Sequence, residues 1–405
     1  MILRILNGLL GIAVIFIIAY FMSSDRKAIK WRTIGVGFLI QLFFAFLVLM
    51  FPLGKMALGK LSGVVTQIIN YANEGINFLF GPAIPKDGGM IFAFQVLTII
   101  IFISSLVAVL YYLGVMQIVV RIIGGGLAKL LGTSQVETLS AAANIFLGQT
   151  EAPLLIRPYI SRLSTSELFT VMVGGLASVS GSVLVGYNLM GVPLEYLIAA
   201  SFMAAPAGLI MSKIIMPEKQ KLNPDEAITF NKDESINVVD AAARGASDGL
   251  QLALNIGAML LAFISIIALI NGIIGWIGNL FGNPNWSMES ILGYVFYPLA
   301  VVIGIPFKDA LTAGSLIGQK LILNEFVAFS RFGPIMEFLT PKSVAIITFA
   351  LCGFANISSM AILIGGLGGM EPKRKDEVAK LGFKAIIAGT LANLLSATLA
   401  GMFIY

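Results

Sequence analysis

The chain contains eight apolar runs that are each long enough to cross a lipid bilayer. A hydrocarbon core of about 30 Å needs roughly 20 helical residues, and a helix satisfies its own backbone N–H and C=O groups there. Only 12% of the 405 residues are charged, about half the usual share in a soluble protein. The sequence therefore predicts an all-α polytopic membrane protein with eight transmembrane helices, at Ile2–Met22, Ile34–Phe51, Ile91–Val120, Leu168–Leu189, Leu194–Ile215, Leu250–Ile277, Val344–Leu367 and Leu381–Tyr405.

Short basic clusters beside these runs predict the orientation of the chain. They follow the first and fifth runs and precede the eighth, at Arg26–Arg32, Lys213–Lys221 and Lys373–Lys380. Because basic loops stay in the cytoplasm, eight spans place both termini outside it. The net charge of +5 then reflects this bias rather than nucleic-acid binding.

Two further segments lie between the apolar runs. Lys60–Leu79 has apolar residues at helical spacing with polar residues between them, which predicts a helix lying in the membrane interface. A helix packed against a neighbouring subunit fits the same pattern. The polar stretch Pro217–Ser247 is predicted to be a solvated cytoplasmic loop between two halves of one domain.

Two glutamates lie in segments that should be buried in the bilayer. Glu151 and Glu325 are each surrounded by small and amide side chains. A carboxylate in the membrane interior is costly and is kept where it meets a partner, a water-filled cavity or a substrate. An ion pair with Arg157 or Lys320 would explain one of them structurally, but the matching contexts favour a functional site for both.

The contexts of the two glutamates look like repeats. Gly148–Glu151 precedes a run interrupted at Ala177–Ser182, and Gly318–Glu325 precedes a run interrupted at Gly353–Ser359. Paired interrupted segments in the two halves of a chain predict a transporter built from inverted repeats, with its site where the repeats meet.

The residue types in the interruptions indicate the kind of ligand. Freed carbonyls with Asn and Ser side chains can coordinate a cation such as sodium, while carboxylates accept hydrogen bonds from vicinal hydroxyls and Gln with Thr can read the edge of a base. This combination fits a neutral, hydroxyl-rich, partly aromatic solute. The chain has no histidine and one cysteine, Cys352, so an intramembrane enzyme would lack the usual nucleophile and base pair.

Several motifs closely resemble the signature segments of the concentrative nucleoside transporter family. They are Gly148-Gln149-Thr150-Glu151-Ala152-Pro153, Asn324-Glu325-Phe326-Val327-Ala328 and Gly353-Phe354-Ala355-Asn356-Ile357-Ser358-Ser359. The resemblance covers nearly the whole chain in the bacterial eight-span form. It implies two re-entrant helical hairpins and interrupted helices related by an inverted repeat, a homotrimer, and a location in the bacterial inner membrane.

The resemblance also implies roles for individual residues. The first hairpin would contact the nucleobase, and the second hairpin with the seventh span would hold the ribose, with two apolar walls beside them. The implied nucleoside-binding residues are Gln149 and Thr150 for the base, with Glu151 contacting it directly or through water, Glu325, Asn356 and Ser359 for the ribose with Asn324 nearby, and Phe354 and Val183 as walls. The implied sodium ligands are Asn144, Ser178 and the backbone carbonyls of Leu147 and Val179.

These observations together predict a sodium-coupled symporter that imports uridine-like nucleosides and is not an enzyme. Sodium would be co-transported, no organic cofactor would be needed, and the partners would be the nucleoside, the lipid bilayer and two further copies of the chain, with no nucleic acid. Proton coupling through one glutamate is the alternative. The predicted division is 1–120 for scaffold spans one to three with the interfacial helix, 121–193 for repeat one, 194–285 for spans five and six with the loop, 286–380 for repeat two and 381–405 for span eight.

Overall fold

A computed structural model describes residues 2–84, 91–220, 235–283 and 285–404, with side chains from residue 5 onward. Within these residues the regular structure is helical throughout. The α-helices are α1 Ile2–Phe21, α2 Trp31–Leu49, α3 Pro52–Phe80, α4 Phe92–Gln95, α5 Leu97–Tyr112, α6 Val115–Leu131, α7 Gln135–Ala143, α8 Thr165–Ala177, α9 Gly181–Leu189, α10 Leu194–Ile215, α11 Val238–Leu280, α12 Met288–Val302, α13 Phe307–Ile322, α14 Glu325–Phe332, α15 Pro341–Leu351, α16 Ile357–Met370 and α17 Lys375–Phe403.

Six helical stretches of the described chain are long and apolar enough to cross a membrane: Trp31–Leu49, Phe92–Tyr112, Thr165–Leu189, Leu194–Ile215, Val238–Leu280 and Pro372–Phe403. A seventh is obtained if α12 and α13, which are bent by 118° at their junction, are counted as one span. The predicted first and seventh spans correspond to shorter apolar helices, Ile5–Phe21, Pro341–Leu351 and Ile357–Met370. The helical, multi-pass prediction is confirmed, and the count of eight spans remains a prediction.

Two predicted boundaries are wrong. The third span was expected to continue to residue 120, but α5 ends at Tyr112 because Gly114 adopts a φ of +79°, which no helix continues. The loop expected at 217–247 is helical from Val238, where the Asn237 side chain accepts a hydrogen bond from Asp240 N and starts α11. Residues 221–234 of that expected loop lie outside the described residues.

Local sequence signals set the starts of the helices around the site. Ser134 and Glu137 form a capping box at α7, and Ser164 and Glu167 form another at α8. The Asn356 side chain caps α16 by accepting from Ser359 N. Since each cap satisfies a backbone N–H that the helix leaves free, the sequence determines where these helices begin.

The helices form an inner core and an outer layer. The spans Thr165–Leu189 and Leu194–Ile215 are each 94% buried, whereas Phe92–Tyr112 and Val238–Leu280 are 22% buried. The inner helices α8, α10, α15 and α17 pack on one another. Core packing therefore surrounds the short segments where α8 and α15 end, and the outer helices keep large apolar faces for lipid or a partner.

The segment predicted to be an interfacial helix is one continuous helix, α3, which has large exposed apolar side chains such as Phe78 and Leu79. The predicted domain division remains a prediction. Its boundaries after residues 120 and 380 fall inside α6 and α17, because each of these helices continues through the boundary.

Candidate functional site

Two breaks between helices meet at the centre of the inner core. The first break, residues 178–180, separates α8 from α9, and the second, residues 352–356, separates α15 from α16. The backbone N–H of Phe354 in the second break donates to the Ser178 carbonyl in the first, at 3.1 Å. Non-helical backbone at this depth needs such partners because no bulk water is present.

The chain that leaves α7 approaches the first break. Gly181 N, at the start of α9, donates to the Phe146 carbonyl at 2.9 Å, and Gly148 N donates to the Glu151 carboxylate at 3.1 Å. Glu151 is exposed to an internal cavity. No ion pair joins it to Arg157, so that explanation of the glutamate is wrong for the part of the chain that the structure describes.

A cavity of about 120 Å³ lies where the breaks and the ends of α7 and α13 converge. Its lining includes every residue predicted to contact the nucleoside, namely Gln149, Thr150, Glu151, Val183, Asn324, Glu325, Phe354, Asn356 and Ser359. The structure therefore brings these residues together from four separate stretches of sequence. Their individual roles remain predictions.

Glu325 is held by hydrogen bonds rather than by a cation. It is 4% exposed, and its carboxylate accepts from Tyr187 Oη at 3.2 Å and from Asn356 Nδ2 at 2.8 Å. The nearby Lys320 ammonium instead donates to Ala350 O and Asn393 Oδ1. The alternative structural explanation, an ion pair between Lys320 and Glu325, does not apply, and the carboxylate keeps lone pairs for a ligand.

Gln149 links the two halves of the cavity. Its Nε2 atom is 3.4 Å from Ser359 Oγ, whereas its buried Oε1 atom has no hydrogen-bond donor among the described residues. Gly175 on α8 allows this approach, because a methyl group there would lie 2.8 Å from Gln149 Cβ. The side chain thus presents an unpaired amide oxygen beside the cavity.

The predicted sodium ligands lie beside the first break. Asn144 is fully buried and donates through Nδ2 to Ser140 O at 2.9 Å, and its Oδ1 atom has no donor among the described residues. Ser178 Oγ donates to Gly174 O, and Gly174 also packs against the Asn144 amide. The described residues contain no cluster of three acidic, histidine or cysteine side chains, so a cation here would use neutral oxygens, which suit sodium.

The two residues whose carbonyls are predicted to bind sodium lie outside regular helix. Leu147 and Val179 are buried and lie in non-helical backbone, so their carbonyls are not committed to a helix ladder. The donor set of one amide oxygen, one hydroxyl and two carbonyls fits a hard monovalent cation.

A second cavity of about 460 Å³ adjoins the first at Glu151 and Leu252. It lies between α5, α11 and the segment after α7, and its polar lining includes Arg157 and Asp248. A pocket for a small molecule usually measures about 300–1,000 Å³. The larger cavity therefore has enough volume for a solute, and its lining includes Gly245 and Asp248 in the N-terminal part of α11.

Sequence reasoning missed several residues of the site. Tyr187 on α9 positions Glu325 and is held between the rings of Phe326 and Phe329. The apolar wall from α11 consists of Leu252, Ile256 and Met259. An aromatic or aliphatic residue in an apolar run carries no local signal of a role, since core packing uses the same residues.

Three family models match the chain. The one described as "Na+ dependent nucleoside transporter C-terminus" matches residues 196–401, and "Na+ dependent nucleoside transporter N-terminus" matches residues 10–83. A third, "Nucleoside recognition", matches residues 93–194.

Individual proteins are similar over nearly the full length. A "Nucleoside permease NupC" of Helicobacter pylori is 49% identical and aligns with 100% of this chain and 99% of its own. "Sodium/nucleoside cotransporter 1" of Mus musculus is 37% identical over 97% of this chain and 63% of its own. The solved structure of CNTnw in an inward-facing substrate-bound state is 53% identical, with a TM-score of 0.95 and coverage of 99% of this chain and 98% of that one.

Proposed function

The chain belongs to the Na+-dependent nucleoside transporter family and is a multi-pass nucleoside transporter, and from this premise we propose that it is a sodium-coupled symporter. It imports uridine-like nucleosides across the bacterial inner membrane into the cytoplasm. Its relatives are transporters and permeases, so the chain is a transporter rather than an enzyme.

The cavity residues support the division between base and sugar. The Glu325 carboxylate and the Asn356 amide are hydrogen-bonded to each other and face the same cavity as Ser359, which suits the hydroxyls of a ribose. Gln149 and Thr150, which line the same cavity, offer an amide and a hydroxyl to the edge of a base. Phe354 and Val183 line the same cavity as apolar walls.

The observation that carries sodium coupling is the unpaired Oδ1 atom of Asn144. A buried acceptor without a donor costs about 1–3 kcal/mol. A sodium ion coordinated by this oxygen, Ser178 Oγ and the carbonyls of Leu147 and Val179 removes that cost. Because Asn144 and Gln149 lie on the same segment, an ion bound there also orders the residues that contact the base.

The fold proposal follows from the order of the helices. In each half two successive helical segments precede a broken helix and then a long helix. The order is α7 with the helical segment Ala152–Arg162, α8–α9 and α10 in the first half, and α13 with α14, α15–α16 and α17 in the second. We assign α7 with its following segment, and α13 with α14, as the two re-entrant hairpins of an inverted repeat. If α8–α9 and α15–α16 each count as one span, they make eight spans together with α1, α2, α5, α10, α11 and α17. The assembly is a homotrimer with both termini outside the cytoplasm.

The test is uptake of radiolabelled uridine into proteoliposomes that contain the purified protein. An inward sodium gradient should drive accumulation, and a proton gradient in sodium-free buffer should not. Accumulation driven by the proton gradient alone would overturn sodium coupling. It would favour the alternative in which the Glu151 carboxylate, which is open to the larger cavity, carries a proton.

A further inference from the structure

Lys320 carries an amine in the inner core, far from any surface. The residue is 1% exposed, and its Nζ atom donates to Ala350 O at 2.9 Å and to Asn393 Oδ1 at 2.6 Å. No carboxylate of the described residues forms an ion pair with it. A buried amine whose partners are two neutral oxygens is costly, so its retention here points to a role for the contacts that it makes.

Asn393 joins this ammonium to both helix breaks. Its Oδ1 atom accepts from Lys320, while its Nδ2 atom donates to Ala177 O at 2.6 Å and to Cys352 O at 3.0 Å. Ala177 is the last residue of α8 and Cys352 follows the last residue of α15. The Asn393 amide on α17 therefore holds the C-terminal ends of two helices from different halves of the chain.

The packing around this amide leaves it little freedom. A methyl group on Gly353 would lie 2.3 Å from Asn393 Oδ1, and one on Gly389 would lie 2.9 Å from Leu176 Cβ and 3.2 Å from Ala355 Cβ. The face of α17 that carries Gly389 and Asn393 thus fits closely between the breaks. A shift of either break must move the amide.

Each break leads directly into one of the proposed binding sites. Ala177 precedes Ser178, a proposed sodium ligand, and Cys352 lies four residues before Asn356, which holds Glu325 in the proposed ribose site. Lys320 itself lies on α13, five residues before Glu325. The ion site and the sugar site are therefore connected through the Lys320–Asn393 pair as well as through the segment after α7.

We propose that Lys320 and Asn393 are positioning residues that couple sodium binding to nucleoside binding, an inference that rests on the proposed sodium symport. Sodium orders the backbone after Ala177. Asn393 then holds the Cys352 carbonyl in the conformation that directs Asn356 toward Glu325. The Lys320 ammonium fixes the Asn393 amide in the orientation in which its Nδ2 atom donates to both Ala177 O and Cys352 O. Such coupling is reciprocal, so uridine must tighten sodium binding by the same factor.

The experiment measures the equilibrium dissociation constant of uridine for the purified full-length protein in lipid nanodiscs, in sodium-free choline buffer and at saturating sodium. The ratio of the two constants is the coupling factor. The variants are Asn393→Ala, Lys320→Met and the milder Asn393→Ser, whose hydroxyl can donate to only one of the two carbonyls. The matched control is Ser396→Ala, because Ser396 is also a buried polar residue of α17 but bonds to Gln41 on α2 and to neither break.

We expect Asn393→Ala and Lys320→Met to lower the coupling factor by about tenfold, with Asn393→Ser intermediate and Ser396→Ala like the wild type. A purely structural role would lower the amount of active protein and leave the coupling factor unchanged, which would overturn the inference. If Asn393→Ala does not fold, the coupling factor of Asn393→Ser tests the inference instead, and an unchanged value would overturn it. If the uridine affinity of the wild-type protein is the same with and without sodium, the proposed symport itself is contradicted. The wild type alone is enough to show this result.

Discussion

Asn356 Nδ2 donates a 2.8 Å hydrogen bond to Glu325 Oε2, and this bond joins the cap of α16 to the first residue of α14. Asn356 Oδ1 meanwhile accepts from Ser359 N at 2.8 Å and from Ser358 Oγ at 2.7 Å. The amide is thus fixed at both ends, so the carboxylate is oriented before a ligand arrives. Preorganisation of this kind lowers the cost of ordering side chains on binding.

Glu325→Gln should weaken uridine binding by about 1.5–3 kcal/mol, which is the usual worth of a hydrogen bond to a charged group. Free uracil, which lacks the ribose, should bind the variant and the wild type alike. Competition binding with both ligands measures the difference, and Glu195→Gln on the exposed start of α10 is the control. An equal loss for uridine and uracil would contradict the ribose assignment.

Gln149→Ala should change the order in which uridine, cytidine and adenosine compete for uptake. The substitution removes a donor and the unpaired Oε1 acceptor that we assign to the variable base. Ser359→Ala is the matched comparison, because it removes the hydroxyl next to Gln149 Nε2, a hydroxyl that we assign to the sugar that all three ligands share. An unchanged order with uniformly lower uptake would show that Gln149 does not read the base.

Asn144→Ala and Ser178→Ala should raise the sodium concentration that gives half-maximal uridine uptake, since each removes one of the proposed oxygen ligands of sodium. Uridine affinity should fall at low sodium and recover at saturating sodium because the two ligands are linked. Ser140→Ala is the control: its hydroxyl lies one turn earlier on α7, and its backbone carbonyl, which accepts from Asn144, remains. A sodium dependence that stays like that of wild type in both variants argues against this ion site.

Gly175→Ala should weaken nucleoside binding and lower thermal stability, because its methyl group would lie 2.8 Å from Gln149 Cβ and 3.1 Å from Gln149 Cα. Relief of that overlap requires the segment after α7 to move, and overpacking of this kind costs about 1–3 kcal/mol. Gly208→Ala is the control, because its methyl group meets atoms no closer than 3.6 Å. Calorimetric uridine binding and thermal unfolding in detergent measure both effects, and two equally tolerated variants would refute the packing argument.

Lys213→Met should destabilise the protein by about 3–5 kcal/mol, since it leaves the charge of the buried Glu137 without a partner. Lys213 Nζ lies 2.5 Å from Glu137 Oε2 and both side chains are buried. Lys219→Met is the control, because its partner Asp25 lies at the surface and exposed pairs contribute little. The double variant with Glu137→Gln should recover part of the loss in thermal unfolding; no recovery would mean that Lys213 acts through packing rather than charge.

Much of the architecture was readable from local patterns. Apolar runs of membrane length predicted helices, and spacings such as Ser134 with Glu137 mark a helix start within one turn of chain. The motifs around Glu151, Glu325 and Asn356 predicted a common site, and these residues do line one cavity. Such features could be read because the interactions that create them join residues a few positions apart or repeat along one helix face.

Hydrogen-bond partners that lie far apart in the chain could not be predicted from the sequence. The sequence left open an ion pair of Lys320 with Glu325, five residues away, and gave no sign of the actual partners, Ala350 and Asn393. The bond from Tyr187 to Glu325 likewise joins two different helices. Helix packing decides such pairs, because it depends on the shapes of all neighbouring side chains at once and leaves no periodic trace in the sequence.

The sequence by itself determined that this chain is a helical membrane protein with two carboxylates, Glu151 and Glu325, in segments that should be buried in the bilayer, because burial in lipid restricts both helix length and the placement of charge. The tertiary structure alone decided that both breaks meet at Asn393 and that Glu151 is open to a cavity while Glu325 is enclosed. These outcomes depend on how helices distant in sequence pack together, α17 with α8 and α15 around Asn393 and α5 with α11 beside Glu151, and no local stretch of sequence specifies such packing.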